Sequence, residues 1–150
     1  MEIRPTDLSE PEVRSLLEYH HAEMVGYSPP GTAHVLDLGS LRAPDITVLA
    51  AWDGADLLAV GAMRRHDGFL EIKSMRAHPD AVGKGAGKAI VLHIINSARE
   101  AGLSHVRLET GSGALFDAAV GLYRSFGFEP GEAFAGYSPS DFNRFFHLKL

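Results

Sequence analysis

Residues Phe69 to Ala101 constrain the possible folds more than any other stretch of the chain. They read as a strand, Phe69 to Ala77, a turn at His78-Pro79-Asp80, the glycine loop Gly83-Lys84-Gly85-Ala86-Gly87, and a long helix. The helix carries Ile90, Val91, Ile94, Ile95 and Ala98 on one stripe, so it must pack on a sheet. The next strand, His105 to Thr110, then returns parallel to the first by a right-handed crossover. A helix start has unpaired backbone N–H groups and the positive end of the helix dipole, and glycines there let a phosphate reach the bare backbone.

The flanking sequence supplies the rest of a sheet. Glu2 to Arg4 reads as a short strand ended by Pro5, and Ser9 with Glu12 has capping-box spacing. A helix over residues 10–24 follows, with Val13, Leu16, Leu17, His20 and Met24 on one face. Gly26 to Pro44, with Ser28-Pro29-Pro30-Gly31 inside it, is a long irregular connection, and such connections serve as binding walls or as packed surface loops. Ile46 to Trp52 and Leu57 to Arg64 form a hairpin about Asp53-Gly54-Ala55-Asp56. Ala114 to Phe126 is helical, with Leu115, Ala119, Leu122 and Phe126 as its apolar face. Strands near Glu132 to Tyr137 and Asn143 to Leu150 complete the order. The expected class is α+β: a mixed, mostly antiparallel sheet of six to seven strands with helices on both faces.

At 150 residues, without repeat or linker, residues 1–150 form one domain that buries about two-thirds of its unfolded surface. The absence of cysteine excludes disulfides, thiolate nucleophiles and zinc–thiolate sites, and it fits a reducing compartment, with the cytoplasm as the default. No signal-peptide pattern opens the chain, and no apolar run approaches the roughly 20 residues of a membrane span, so no membrane partner is expected. A net charge of −5 with scattered basic residues argues against nucleic acid. It suits a cationic acceptor, or simply solubility.

Familiar phosphate motifs do not fit. A P-loop needs Gly, four residues, Gly-Lys and then Ser or Thr; here Val82 holds the first position and Ala89 follows Gly87-Lys88. A dinucleotide fingerprint has wider spacing and begins in a parallel unit, whereas antiparallel strands precede this loop. The eight histidines include no His-Glu-x-x-His pair, so no metal is expected. Gly111-Ser112-Gly113 is not a nucleophile elbow.

Strand, glycine loop and helix together resemble the cofactor motif of the GNAT superfamily, the Gcn5-related N-acetyltransferases. There, Arg or Gln, Gly, x, Gly, x, Gly or Ala receives the pyrophosphate of acetyl-coenzyme A. Ala119, Leu122, Tyr123, Phe126, Gly127 and Phe128 match that superfamily's second signature, and the element order matches along the whole chain. Ser28-Pro29-Pro30, Glu71 to Arg76 and Leu108 to Gly113 resemble a bacterial subgroup of acetyltransferases. Two positions depart from the pattern. Val82 stands where Arg or Gln is usual, and Phe116 replaces a common Asn.

The resemblance implies acetyl-CoA as cosubstrate and direct transfer to a primary amine of a small molecule, amino acid or peptide in a ternary complex. A homodimer is compatible with it. Tyr123 matches the general acid that protonates the leaving thiolate, and Glu71 matches the general base of histone-acetylating members. Val82, Gly83, Lys84, Gly85, Ala86, Gly87 and Lys88 match the phosphate loop; Met75, Arg76 and Ala77 lie where a strand bulge offers a backbone N–H to the thioester carbonyl; Phe116 and Tyr123 face the pantetheine arm. Strand alternation puts Glu71, Lys73 and Met75 on one face, and His105, Arg107 and Glu109 alternate likewise on the next strand. Glu71, Lys73, Arg107 and Glu109 then share a wet face beside the reaction centre, or else form an ion-pair ladder. With Tyr137 and Phe142 nearby, Glu71, Lys73, Glu109 and Tyr137 are the candidate acceptor residues. The other reading from the same residues is a non-catalytic CoA-binding or regulatory domain.

Overall fold

A computed structural model describes residues 1–150. One seven-stranded sheet runs through the molecule in the order β1-β2-β3-β4-β5-β7-β6. Its strands are β1 (Glu2–Pro5), β2 (Ile46–Asp53), β3 (Asp56–His66), β4 (Phe69–Ala77), β5 (His105–Thr110), β6 (Glu129–Pro130) and β7 (Arg144–Lys149). The helices are α1 (Pro11–Tyr27), α2 (Ala86–Glu100) and α3 (Ala114–Ser125), and none is long and apolar enough to cross a membrane. Only β4 and β5 pair in parallel, with α2 as the crossover between them; every other pair, including β1 with β2 on either side of α1, is antiparallel.

The two faces of the sheet carry separate cores. Val13, Leu16 and Leu17 of α1 pack with Val48, Ala50, Trp52, Val60 and Ala62 on one face. The predicted α2 stripe is wholly buried on the other, against Leu49, Leu70, Ile72, Val106 and Leu108. α3 lies on the α2 side, contributing Val120 and Tyr123.

Three local expectations need correction, while the expected turn at His78-Pro79-Asp80 is present. The capping box does not form: α1 begins at Pro11 with Glu10 as N-cap, and Ser9 bonds Asp7 instead. Proline is pre-organised for the first helical position, so it sets the start. The buried face of α3 is Phe116, Val120 and Tyr123, while Leu115 stays 47% exposed. No strand spans Glu132 to Tyr137, because Ala135 and Gly136 both take positive φ and turn the chain; β6 ends at Pro130. His78-Pro79-Asp80 leads into a short 3₁₀ turn over Pro79–Ala81.

Candidate active site

The site begins where the sheet opens. β4 and β5 are in register from Phe69 with His105 to Ile72 with Leu108, after which the strands part. At the same level β4 is bulged: Val60 faces Arg76 and Ala62 faces Lys73, so Gly61 stands opposite both Ser74 and Met75. Ser74 takes the left-handed region at φ 54°. One extra residue in a strand reverses the facing of everything after it. Met75 therefore packs on the α2 core rather than beside Glu71 and Lys73, and Arg76 turns toward α1. The bulge was expected over Met75 to Ala77; it lies at Ser74-Met75. A Cβ on Gly61 would stand 2.5 Å from Met75 Sδ, so glycine there makes room for the bulge.

The glycine loop ends β4's excursion. Gly83 and Gly85 both have φ 82°, Gly85 is the N-cap of α2, and no side chain caps that helix. Nothing lies within 4 Å of the Cβ position at either glycine, so the loop presents open backbone. Val82 is 72% exposed at the mouth of the cleft, Lys84 and Lys88 are exposed, and the Ala86 methyl is buried under the helix start. The Arg76 guanidinium is committed elsewhere, donating from Nε to His20 Nδ1 (2.9 Å) and pairing with Glu23 (2.9 Å). Burial and then the Arg76 charge hold His20 down to about 4.

A cleft of about 420 Å³ extends from Val82 past the bulge to Glu109 and His34. Met75, Ala77, Phe116 and Tyr123 line its middle. Phe116 packs edge-on against Phe142 at 5.5 Å, which gives this wall an apolar surface. The Tyr123 ring is buried edge-on against Phe128 at 5.8 Å, and burial pushes its phenol well above the usual value, so the hydroxyl keeps its proton at neutral pH.

The far end is polar and closed rather than wet. Glu71, 1% exposed, receives His66 Nε2 on one oxygen at 2.8 Å, and Lys73 Nζ (3.0 Å) and the Tyr137 hydroxyl (2.7 Å) on the other. Lys73 also donates to the Tyr137 oxygen at 2.7 Å. Arg107 is in register with Glu71 but takes no part, its guanidinium lying over the Phe69 ring at 4.5 Å. Burial, then the Glu71 charge, raises the Tyr137 phenol far above the usual range.

A second cluster adjoins it. Asn143 Nδ2 donates to Glu109 Oε2 (2.6 Å) and to the Thr32 carbonyl (3.0 Å). His34 Nδ1 lies 3.4 Å from the same Glu109 oxygen, and its ring stacks on Tyr137 at 4.7 Å. The structure thus brings Glu71, Lys73, Glu109 and Tyr137 together. The sequence reading missed His20, Thr32, His34 and Asn143; the only signal for the first three was their place on or beside the long Gly26–Pro44 connection.

A sheet split between its two parallel strands, a glycine loop at the following helix and a cleft joining them to a buried tyrosine define an acyltransferase fold. The chain belongs to the GNAT acetyltransferases: the model described as Acetyltransferase (GNAT) family matches residues 13–128. The chain is similar to YsnE of Bacillus subtilis, an uncharacterized N-acetyltransferase, with 41% identity over 151 residues and 100% of both chains covered. It is 38% identical over 149 residues to YedL of Escherichia coli, also an uncharacterized N-acetyltransferase, covering 99% of this chain and 94% of that one. A solved Bacillus subtilis acetyltransferase in complex with CoA superposes with a TM-score of 0.69 at 18% identity, covering 99% and 98%.

Proposed function

We propose that this enzyme transfers the acetyl group of acetyl-CoA directly to a primary amine of a small molecule, amino acid or peptide, with both substrates held in one cleft. In this reading residues 1–150 act as one domain. The observation that carries the reading is the continuity of the cleft from Val82, beside the first glycine of the loop, past the bulge to Tyr123 and the polar pocket.

The residues present fit a pyrophosphate on a flexible arm. Gly83 and Gly85 leave the backbone bare at an uncapped helix start, so Val82 costs the loop a side-chain contact but not its backbone donors. Lys84 and Lys88 add positive charge near them, and the Ala86 and Gly87 positions let the helix start close to the phosphates. The bulge at Ser74-Met75, with the strand that runs on from it to Ala77, offers backbone N–H groups to the thioester oxygen, where charge develops. Arg76 contributes through its backbone, because its side chain is held by α1. Bound acetyl-CoA supplies an activated thioester.

Tyr123 then protonates the departing sulfur. Phe116 flanks the arm with an apolar surface. Glu71, Lys73, Glu109 and Tyr137 form the acceptor end. Three donors already hold Glu71, so it reaches an amine only through Lys73 or Tyr137, and it serves the site by fixing both. The test is thiol release from acetyl-CoA against a panel of amines, amino acids and peptides, alongside calorimetric titration with CoA. Release with at least one amine supports the reading; CoA binding with no release from any overturns it.

A further inference from the structure

We infer that His34 and Glu109 form the proton-accepting pair of this site, with Asn143 as the residue that positions both. The inference rests on the amine-acetyltransferase reading and deepens it. An amine reaches neutral solution largely as ammonium, so the acceptor end must hold a cation and then remove its proton. Glu71 is poorly placed for that task, being 1% exposed and bonded by three donors.

The adjoining pair is differently built. His34 and Glu109 line the cleft with 22% and 14% of their side chains exposed. Glu109 uses one oxygen for Asn143, which leaves Oε1 for an incoming ammonium. His34 Nδ1 is buried and 3.4 Å from Glu109 Oε2, yet it has no hydrogen bond within the protein. A carboxylate beside Nδ1 selects the tautomer with its proton there, and Nε2 becomes the basic nitrogen. Asn143, 7% exposed, bonds both Glu109 and the carbonyl two residues before His34, so one amide fixes the strand and the loop together. Stacking on Tyr137 fixes the plane of the ring.

The charges facing His34 are Glu109 on β5, the Tyr137 hydroxyl with Lys73 and Glu71 behind it on β4, and, across the cleft, His20 of α1 with Arg76. The balance is simple. The ammonium gives one proton to His34, and the amine lone pair attacks the thioester carbon. The C–N bond forms, the C–S bond breaks, and sulfur takes the Tyr123 proton. The second proton lost from nitrogen restores Tyr123.

The test uses the full chain with His34→Gln, Glu109→Gln and Asn143→Ala, and benzylamine, spermidine and a lysine peptide as acceptors. With an acceptor that the wild type acetylates, His34→Gln should lower kcat/KM by about a hundredfold or more and change the shape of its pH profile. Its CoA-induced thermal shift should be unchanged. Glu109→Gln should raise the amine KM more than it lowers kcat, and Asn143→Ala should weaken both effects together. Independently of turnover, that acceptor should protect His34 of the free enzyme from carbethoxylation by diethyl pyrocarbonate, read by peptide mass spectrometry, while His93 on α2 is not protected. Wild-type kcat/KM and pH profile in His34→Gln, or no protection of His34, overturns the pair alone. No thiol release by the wild type with any amine overturns the transferase reading and the pair with it.

Discussion

The Tyr137 hydroxyl donates to Glu71 Oε2 at 2.7 Å, joining residues 66 positions apart, and accepts from Lys73 Nζ at the same distance. A buried carboxylate and a buried ammonium are costly unless paired and hydrogen-bonded, and this phenol is the one group that bonds both. It also fastens the irregular segment after β6 to the middle of the sheet.

Tyr137→Phe should therefore destabilise the fold by about 1–3 kcal/mol in urea unfolding, the range for leaving buried polar partners unsatisfied. The pH dependence has a definite sign. The folded phenol is raised above its unfolded value, so the unfolded chain loses its proton first. Stability is full below about pH 10 and declines as pH rises beyond it. Unfolding midpoints between about pH 8 and 11 should show this decline in the wild type and a shallower one in Tyr137→Phe.

Tyr123→Phe separates chemistry from packing. The ring is held by Phe128 and the α2–α3 core, and a phenylalanine keeps those contacts. The expected outcome is a loss in kcat of about 10² to 10⁴-fold, the usual weight of a positioned proton donor, with CoA affinity and thermal midpoint unchanged. Unchanged turnover would remove Tyr123 from the mechanism and leave it a core residue.

How much of this was legible in the sequence depends on how regular each stretch is. The strands flanking the glycine loop and the α2 stripe were readable because strong periodicity and clear turn residues coincide there. α3 is apolar on more than one side, since it lines both the core and the cleft, so its buried face was placed on Leu115 instead of Phe116. Resemblance placed a bulge at Met75 to Ala77, but strand alternation contains no sign of where the extra residue sits, and its position at Ser74-Met75 moved Met75 to the opposite face. Glu71, Lys73, Glu109 and Tyr137 were named together from alternation and resemblance. His34 and Asn143 were not, because their roles come from a loop and a strand end meeting in space.

Gly61→Ala tests the bulge as part of the cofactor path. Its methyl would meet Met75 Sδ and, at 2.8 Å, Ile90 Cγ2. Ile90 is fixed in the core, so Met75 must yield, and Met75 lines the cleft beside the bulge. Overpacking of this kind costs about 1–3 kcal/mol. The same displacement should raise the Kd for CoA several-fold in calorimetric titration while the amine KM changes little. Full CoA affinity in a folded Gly61→Ala would mean that the bulge does not contribute to that path.

The His20–Arg76 contact makes the α1 face of the cleft sensitive to acid. His20 accepts from Arg76 as a neutral ring, and burial with that charge holds it at about 4 in the folded state. The unfolded chain binds the proton first as pH falls below about 6.5, so stability is complete above that value and is lost progressively toward pH 4. Linkage sets the loss attributable to this ring at up to about 3 kcal/mol. His20→Gln keeps a hydrogen-bond acceptor for Arg76 without a titrating group. Its unfolding free energy should therefore be flatter than the wild type's between about pH 6.5 and 4, and parallel curves for the two proteins would show that His20 does not set the acid limit.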